Sequence, residues 1–292
     1  MKLIESSYEI IEQEPGLEGI YKAIERAGRT CYKSEDKITD TSAKEFVDRM
    51  INSGHHAMLE HGTIYLAIPM TTYAPDAINN YNTNPYSKVT PCNDFIFTDK
   101  FGDKVCAWCI TTNFRVLVEN NCLEDLEFLC EPTEYHEKRV TVKFTCDRGV
   151  SHEFVRHRVF SFAQESTRYC NYSKDKFGNE LTFIKPSWYT GRDMSVEQTG
   201  SLVSAQNDKE VDFQMYLKEA EGYYISMIKQ DFKPQEARAM LPNCLKTELV
   251  MTGFLSDWDH FFELRDSKAA HPDAYKLAHP LHEEFNERYK NI

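Results

Sequence analysis

Apolar positions recur with two different periods along this chain. Leu17, Ile20, Ala23, Ile24 and Ala27 follow helical spacing and stop at Gly28, which predicts a first helix ending there. Ser42 caps a second helix, whose Phe46, Val47, Met50 and Ile51 make an apolar stripe that ends near Gly54. Gly54 to His61 then reads as a loop rich in histidine. From Thr63 the period becomes two, with Ile64, Leu66 and Ile68 on one face. The same alternation returns in Val140, Val142, Phe144 and Cys146, and the two strands are expected to pair in one sheet. Between them, residues 70–137 hold turn signals at Asn79-Asn80, Asn82, Asn84-Pro85 and Pro91, and read as an elaboration of that sheet. A long helix is predicted over about 208–229, with Phe213, Tyr216, Leu217, Ala220, Tyr223, Tyr224, Met227 and Ile228 on one broad face. Pro234 opens a short helix containing Arg238, and Asp257–Arg265 and Pro272–Tyr289 complete a helical C-terminal third. The expected architecture is one α+β domain over 1–292, a central mostly antiparallel sheet flanked by helices, with a probable insertion at about 70–137.

Composition narrows the function classes. The chain has 292 residues, 41% hydrophobic and 27% charged, which is ordinary for a globular protein and excludes disordered and fibrous classes. No apolar run is long enough for a membrane span, and Met1-Lys2-Leu3-Ile4-Glu5 lacks the apolar core of a secretory signal. The nine scattered cysteines fit reduced thiols, so the expectation is a cytoplasmic protein. Cys106-Ala-Trp-Cys109 has zinc-like spacing, but it lies in a strand-like run, and Cys122 and Cys130 are eight residues apart. Buried small residues are the better reading, and no metal is expected. A net charge of −12 disfavours nucleic acid. Any anion must then be held by a local basic cluster working against the protein's own field.

That cluster is Glu153-Phe-Val-Arg156-His157-Arg158, continuing through Ser161, Gln164, Glu165, Ser166 and Thr167 to Arg168. Arginines offer planar paired donors to phosphate, and hydroxyls complete such a site. The competing reading is a solvated helix end; Val159, Phe160, Phe162 and Ala163 argue against it by drawing the charges toward buried surface. His152-Glu153 and His157 miss the H-E-x-x-H pattern by one residue, which puts the histidines roughly 140° apart on a helix. His279-Pro-Leu-His282 has no third ligand in sequence. There is no nucleophile elbow, phosphate-binding loop or dinucleotide-binding glycine motif. Ser166 has no base partner in sequence and suits a substrate hydrogen bond better than nucleophilic attack. A non-catalytic nucleotide or RNA binder using the same basic cluster, or another reductase acting on a nucleotide, is a rival reading.

Arg156-His157-Arg158, seven residues, then Ser166 resembles the R-H-R-x7-S signature of the flavin-dependent thymidylate synthases. Three further segments are similar to that family in the right order: Leu59-Glu60-His61-Gly-Thr63, Glu236-Ala237-Arg238-Ala-Met-Leu-Pro242, and His260-Phe-Phe-Glu-Leu264-Arg265. The sequence departs from the family at Phe254 and His260, where Asn is frequent, and at Ala269-Ala270-His271; Gln164 stands where some members have Glu. Residues 70–137 and the Tyr189–Glu210 region would be insertions.

The resemblance implies a methyltransferase that makes thymidylate from deoxyuridylate. Methylenetetrahydrofolate is the carbon donor, reduced FAD the hydride source and NADPH the reductant, in a homotetramer with shared sites. It implies FAD contacts at Arg156, His157 and Arg158, with Thr63, Gln164, Phe254-Leu255-Ser256 and His260 adding to that site and His61 flanking it. It implies deoxyuridylate contacts at Glu153, Phe154, Val155, Arg156, Gln164, Glu165, Ser166, Thr167, Arg168, Arg238 and Arg265. Arg168 and Arg238 are expected at the phosphate. Arg265 is the expected catalytic residue, at the uracil edge, where a fixed guanidinium stabilises charge developing on N3 and O4.

Overall fold

In the computed structural model the described residues are 1–70, 78–99, 101–191 and 207–290. Residues 192–206, within the expected Tyr189–Glu210 insertion, lie outside them. The chain runs β1 (Lys2–Ile4), β2 (Ser7–Ile11), α1 (Gly16–Tyr32), α2 (Ser42–Asn52), β3 (Thr63–Pro69), α3 (Asn79–Asn82), β4 (Lys88–Thr98), β5 (Lys104–Asn113) and α4 (Phe114–Glu119). It continues β6 (Arg139–Asp147), α5 (Arg148–Phe154), β7 (Ser161–Gln164), β8 (Thr182–Ile184), α6 (Asp208–Lys229), α7 (Pro234–Ala237), β9 (Lys246–Phe254), α8 (Leu255–Arg265) and α9 (Pro272–Phe285). Among the described residues no helix is long and apolar enough to cross a membrane.

The fold is α+β, with antiparallel sheets flanked by helices and a largely helical C-terminal third. Its centre is a four-stranded antiparallel sheet ordered β2-β6-β9-β7. The alternation in β6 works as expected: Val140, Val142, Phe144 and Cys146 point to one face. There they meet Leu249 and Met251 of β9, Trp258, Phe261 and Phe262 of α8, and Leu277 and Leu281 of α9. Trp258 also donates its indole N–H to Val140 O at 3.2 Å, so the largest buried ring leaves no polar group unpaired. The opposite face carries Thr141, Thr252 and Ser161, with Ala163 and Val250 packed on Ala27 of α1.

The expected pairing of Thr63–Ile68 with Val140–Cys146 is not what forms. β3 pairs with β5, and β5 with β4, in a separate three-stranded antiparallel sheet. β6 takes β2 and β9 as neighbours instead. Alternation specifies which face of a strand is buried but says nothing about its partner, and the intervening segment supplies two strands nearer in sequence to β3. This second sheet closes a core with α1 and α2 through Ile20, Ile24, Phe46, Val47, Leu66 and Ile110. β1 and β8 form a short parallel pair. They pack with α6, which buries Leu217, Ala220 and Tyr224 and leaves Tyr216 and Tyr223 exposed. The broad apolar face expected for α6 is thus a narrower stripe, since residues seven apart share an angle and these two tyrosines share one pointing outward.

Two further expectations are corrected. The histidine-rich stretch is a 3-10 helix over His56–His61 rather than a loop. Helix α1 runs through Gly28 to Tyr32, because that glycine is a packing residue, not a stop signal. A Cβ there would stand 2.4 Å from Cζ of Phe46 on α2. Gly→Ala inside a helix ordinarily stabilises by up to about 1 kcal/mol. Here we expect Gly28→Ala to reverse that sign and destabilise by about 1–3 kcal/mol, measured as the shift in urea midpoint. A stabilised variant would contradict the close approach of α1 and α2.

A candidate anion site around the basic segment

Helix α5 begins at Arg148, with Asp147 accepting the Val150 N–H at 2.7 Å, and ends at Phe154, after which Arg156 faces solvent. Phe154 is fully buried among Phe144 and Phe261, and the half-buried Val155 packs on the same core. This anchoring divides the R-H-R segment. His157 is buried, whereas Arg156 and Arg158 are exposed.

Arg265, the last residue of α8, comes to the same place. Its Nη1 donates to Glu153 Oε2 at 2.6 Å, its Nη2 to Glu153 O at 2.8 Å, and its Nε to His157 Nε2 at 3.1 Å. The His157 ring lies 5.1 Å from that of Phe261 and 6.1 Å from that of His260. Burial, with Arg265 and His260 nearby, pushes His157 down to about 4, so it is neutral near pH 7. His260 is otherwise exposed and bonds Glu263.

Beyond β7 the chain crosses to helix α1: Ser166 N–H donates to Cys31 O at 3.0 Å. Glu165 is 2% exposed. Its carboxylate accepts from Tyr172 Oη at 2.9 Å and from Lys246 Nζ at 2.9 Å, so it is engaged within the protein interior. Burial alone would raise the neighbouring Glu248 carboxyl, but Lys246 and Lys33 outweigh it and hold the group down at about 2. The turn that follows separates two clefts. Thr167 lines one of about 280 Å³ together with Arg148, Arg238, Gln235 and Asn243. Tyr169 lines the other, of about 440 Å³, with Cys31, Tyr32, Gly54, His55, His56 and Met58. The Tyr32 and Tyr169 rings are 5.3 Å apart. Arg168 is exposed above the Tyr169 ring, with its Cζ 5.4 Å from the centroid.

Several residues expected in one cofactor pocket are dispersed. Gln164 donates to Ser151 Oγ at 2.8 Å, beneath α5. His61 lies on the opposite face of the sheet, 2.8 Å from Thr252 Oγ1. Thr63 is buried there too and accepts from Arg139 Nη1 at 3.3 Å. Phe254 is buried below the Arg139 and Lys88 cations, Leu255 packs on the main core, and Ser256 bonds Glu137. Arg148 was not singled out by sequence, since nothing marks it apart from other helix-start arginines. Cys31 and Tyr32 likewise carry no local signal; they enter through the chain crossing at Ser166. Cys106 and Cys109 sit three apart on β5 and so face opposite sides of its sheet. His279 and His282 both bond the Asp266 carboxylate, at 2.9 and 2.7 Å, joining α9 to the end of α8.

The charge pattern defines what this surface can hold. Among the described residues Arg148, Arg156, Arg158, Arg168 and Arg238 have no carboxylate within 4.0 Å, although the chain carries 46 acidic residues. A flavin dinucleotide is a large anion, and exposed, unpaired Arg156 and Arg158 suit its phosphates. His61, Thr63 and Phe254 are buried on the other face of the sheet, where Thr63 lines a cavity of about 210 Å³ with Tyr65 and Arg139 and His61 Nε2 has no hydrogen-bond partner among the described residues.

Residues 134–289 match the model of the family described as thymidylate synthase complementing protein. This is more than half of the chain, and the chain belongs to that family. It is 28% identical over 145 residues to the flavin-dependent thymidylate synthase of Pyrococcus furiosus, covering 49% of this chain and 52% of the relative. It is 30% identical over 135 residues to that of Mycobacterium avium, covering 45% and 50%. For that of Geobacter sulfurreducens the values are 26% over 131 residues, 45% and 49%. The chain spans about half the length of the curated relatives it matches.

Burial, helped by Arg139, pushes His61 down to about 3. The unfolded chain takes up a proton on this group near pH 6.5, whereas the folded protein does not. Stability from His61 is therefore present above about pH 6.5 and is lost as pH falls toward 3, at roughly 1 kcal/mol per pH unit. His61→Asn keeps an amide atom near the Nδ1 position and removes the titration. Its thermal midpoint should depend less steeply on pH than the wild-type value between 6.5 and 4. Equal slopes would show that His61 is not held neutral.

Proposed function

We propose that this protein is an FAD-dependent thymidylate synthase that converts deoxyuridylate to thymidylate. Methylenetetrahydrofolate is the carbon donor and NADPH the reductant, in a cytoplasmic homotetramer with shared sites and no nucleic-acid or membrane partner. The observation that carries the reading is the set of uncompensated arginines around the R-H-R segment of an acidic chain. The family membership and the flavin-dependent relatives support it. In this reading the chain is one catalytic domain, with residues 70–137, which supply β4 and β5, as its insertion.

The phosphate of the nucleotide is assigned to Arg238, with Thr167 beside it in the smaller cleft and Arg168 at the edge of the adjoining turn. A guanidinium has five N–H donors, and Arg265 uses three of them on Glu153 and His157. Two remain, one on each terminal nitrogen. They can make one planar contact with the N3/O4 edge of uracil and stabilise the charge that develops there as C5 attacks the carbon donor. The Glu153 carboxylate anchors Arg265 so that little reorganisation is needed at that moment. Bound FAD would supply the hydride, with Arg156 and Arg158 holding its phosphates.

Arg156→Ala and Arg158→Ala are expected to fold and to purify with little flavin, seen as loss of absorbance at about 450 nm. A fully yellow variant would remove that residue from the cofactor site. Arg265→Ala should keep its flavin but lose tritium release from 5-³H-deoxyuridylate by on the order of 10²–10³-fold. Lys should restore only part of this, because it lacks the planar pair of donors. Wild-type tritium release in Arg265→Ala would exclude it as the activating residue.

A further inference from the structure

Arg148 opens helix α5, and its backbone is pinned to the segment that leads into β9. The Arg148 N–H donates to Asn243 O at 2.9 Å and to Leu245 O at 3.2 Å, and the Gly149 N–H to Asn243 O at 3.3 Å. That segment follows the short turn Arg238–Met240. Two arginines far apart in sequence thus line one cleft of about 280 Å³, together with Thr167, Gln235 and Asn243. Clefts that enclose whole small molecules hold roughly 300–1,000 Å³, so this one suits the end of a ligand.

The protein leaves the polar groups of this cleft unused. Arg148 is half-buried, and its Nη1 is sealed beneath the surface without a hydrogen-bond partner among the described residues. No other nitrogen of that guanidinium is bonded to a described residue, and neither are the side chains of Thr167, Gln235, Arg238 and Asn243. Arg29 and Lys246, also drawn below the surface, are each paired with glutamate. The acids nearest in sequence to the cleft residues are turned to the backbone: Asp147 accepts the Val150 N–H at 2.7 Å and Glu236 the Lys233 N–H at 2.8 Å. A buried donor left unmet costs about 1–3 kcal/mol, and more when charged. A small turn of the guanidinium toward an anion in the cleft would recover that cost.

The charge count selects the anion. Two guanidinium groups face no carboxylate, and a phosphate monoester carries roughly −1.5 to −2 near pH 7. A singly charged diester would neutralise the pair less completely.

We propose that Arg148 is a second phosphate ligand of the nucleotide, sharing its phosphate monoester with Arg238 and making the smaller cleft selective for a dianion. This rests on the reading that the protein binds deoxyuridylate, and it adds to that reading a residue outside every motif.

Two substitutions test it in the full-length, flavin-loaded protein. Arg148→Gln removes the charge and keeps a polar side chain; Arg148→Lys keeps the charge without the planar fork. Calorimetry gives the affinity for deoxyuridylate, with inorganic phosphate as competitor, and the urea midpoint is taken without nucleotide. Arg148→Gln should bind deoxyuridylate roughly 10- to 100-fold more weakly, the range for losing a hydrogen bond to a charged group. Inorganic phosphate should weaken as a competitor by a similar factor. Flavin content should stay at the wild-type level, and the urea midpoint should hold or rise, because an unmet buried donor is gone. Arg148→Lys should recover part of the affinity. If Arg148→Gln does not fold, Arg148→Met, which keeps an apolar stem and is also uncharged, replaces it in the same measurements.

Unchanged deoxyuridylate affinity in Arg148→Gln would overturn the inference. So would weakening of deoxyuridylate with phosphate competition intact, or a Lys variant as weak as Gln. A lowered urea midpoint would assign Arg148 to the scaffold instead. A wild-type protein that binds flavin but no deoxyuridylate would remove the functional reading on which the inference rests.

Discussion

Everything in the candidate site is placed by the β6–β9 ladder. Its pairs run without interruption from Arg139↔Phe254 to Asp147↔Lys246, so neither strand can slip by one residue without exchanging its faces. One face is apolar and takes the helices that carry Glu153 and Arg265; the other is polar and takes helix α1 and the His56–His61 turn. The ladder therefore determines that Arg265 meets His157 and that His61 does not. The two helices that carry Glu153 and Arg265 leave from this sheet: α5 follows directly from the end of β6, and α8 directly from the end of β9. Because the strands are antiparallel, the two helices start at opposite ends of the ladder. Arg265 closes the distance by lying at the last residue of α8, eleven residues on.

The protein treats its arginines in two ways. Arg265 is neutralised locally by Glu153 and held at three points, while Arg148 and Arg238 in the smaller cleft and Arg168 on the adjoining turn have no carboxylate partner within 4.0 Å among the described residues. An unpaired exposed guanidinium attracts an anion from solvent and can reorient to meet it. A guanidinium that must meet a flat heterocycle in one orientation gains from being fixed beforehand, even at the cost of part of its charge. The buried Glu165–Lys246 pair follows the same logic one layer down, for it fixes the start of the turn that holds Ser166 and Thr167. A polar pair fully satisfied by Tyr172 and Glu248 costs little to bury and specifies a single loop conformation.

Much of the fold was legible in the sequence where a single element decides it. The periods of Ile20, Ile24 and Phe46, Val47, Met50 identify α1 and α2, and the alternation from Val140 to Cys146 identifies β6 and its buried face. What was not legible is relational. Strands β1 and β2 are too short to show a period, and β3 does not encode that it will join β5 rather than β6. Gly28 reads as a stop because its neighbour Phe46 is invisible from its own window. The site divides in the same way. Arg156, Arg158 and Arg168 stand out by residue type and spacing, Arg238 and Arg265 only through the family resemblance, and Arg148 by neither. That Phe154, Glu165 and Gln164 are turned inward depends on Phe144, Lys246 and Ser151, which lie on other elements.

The resemblance assigns three consecutive residues to one ligand, and the structure sets their side chains in different surroundings. In a turn leaving a short helix, successive side chains diverge, so His157 is buried while Arg156 and Arg158 are exposed. The two arginines have long stems that tolerate exposure, and the histidine has a flat ring that fills a gap between phenylalanines. Burial makes the ring neutral, and neutrality is what lets a nitrogen accept from a cation. A protonated histidine there would repel Arg265. Packing lowers the proton affinity of His157 and so leaves Nε2 free to accept from the Arg265 guanidinium.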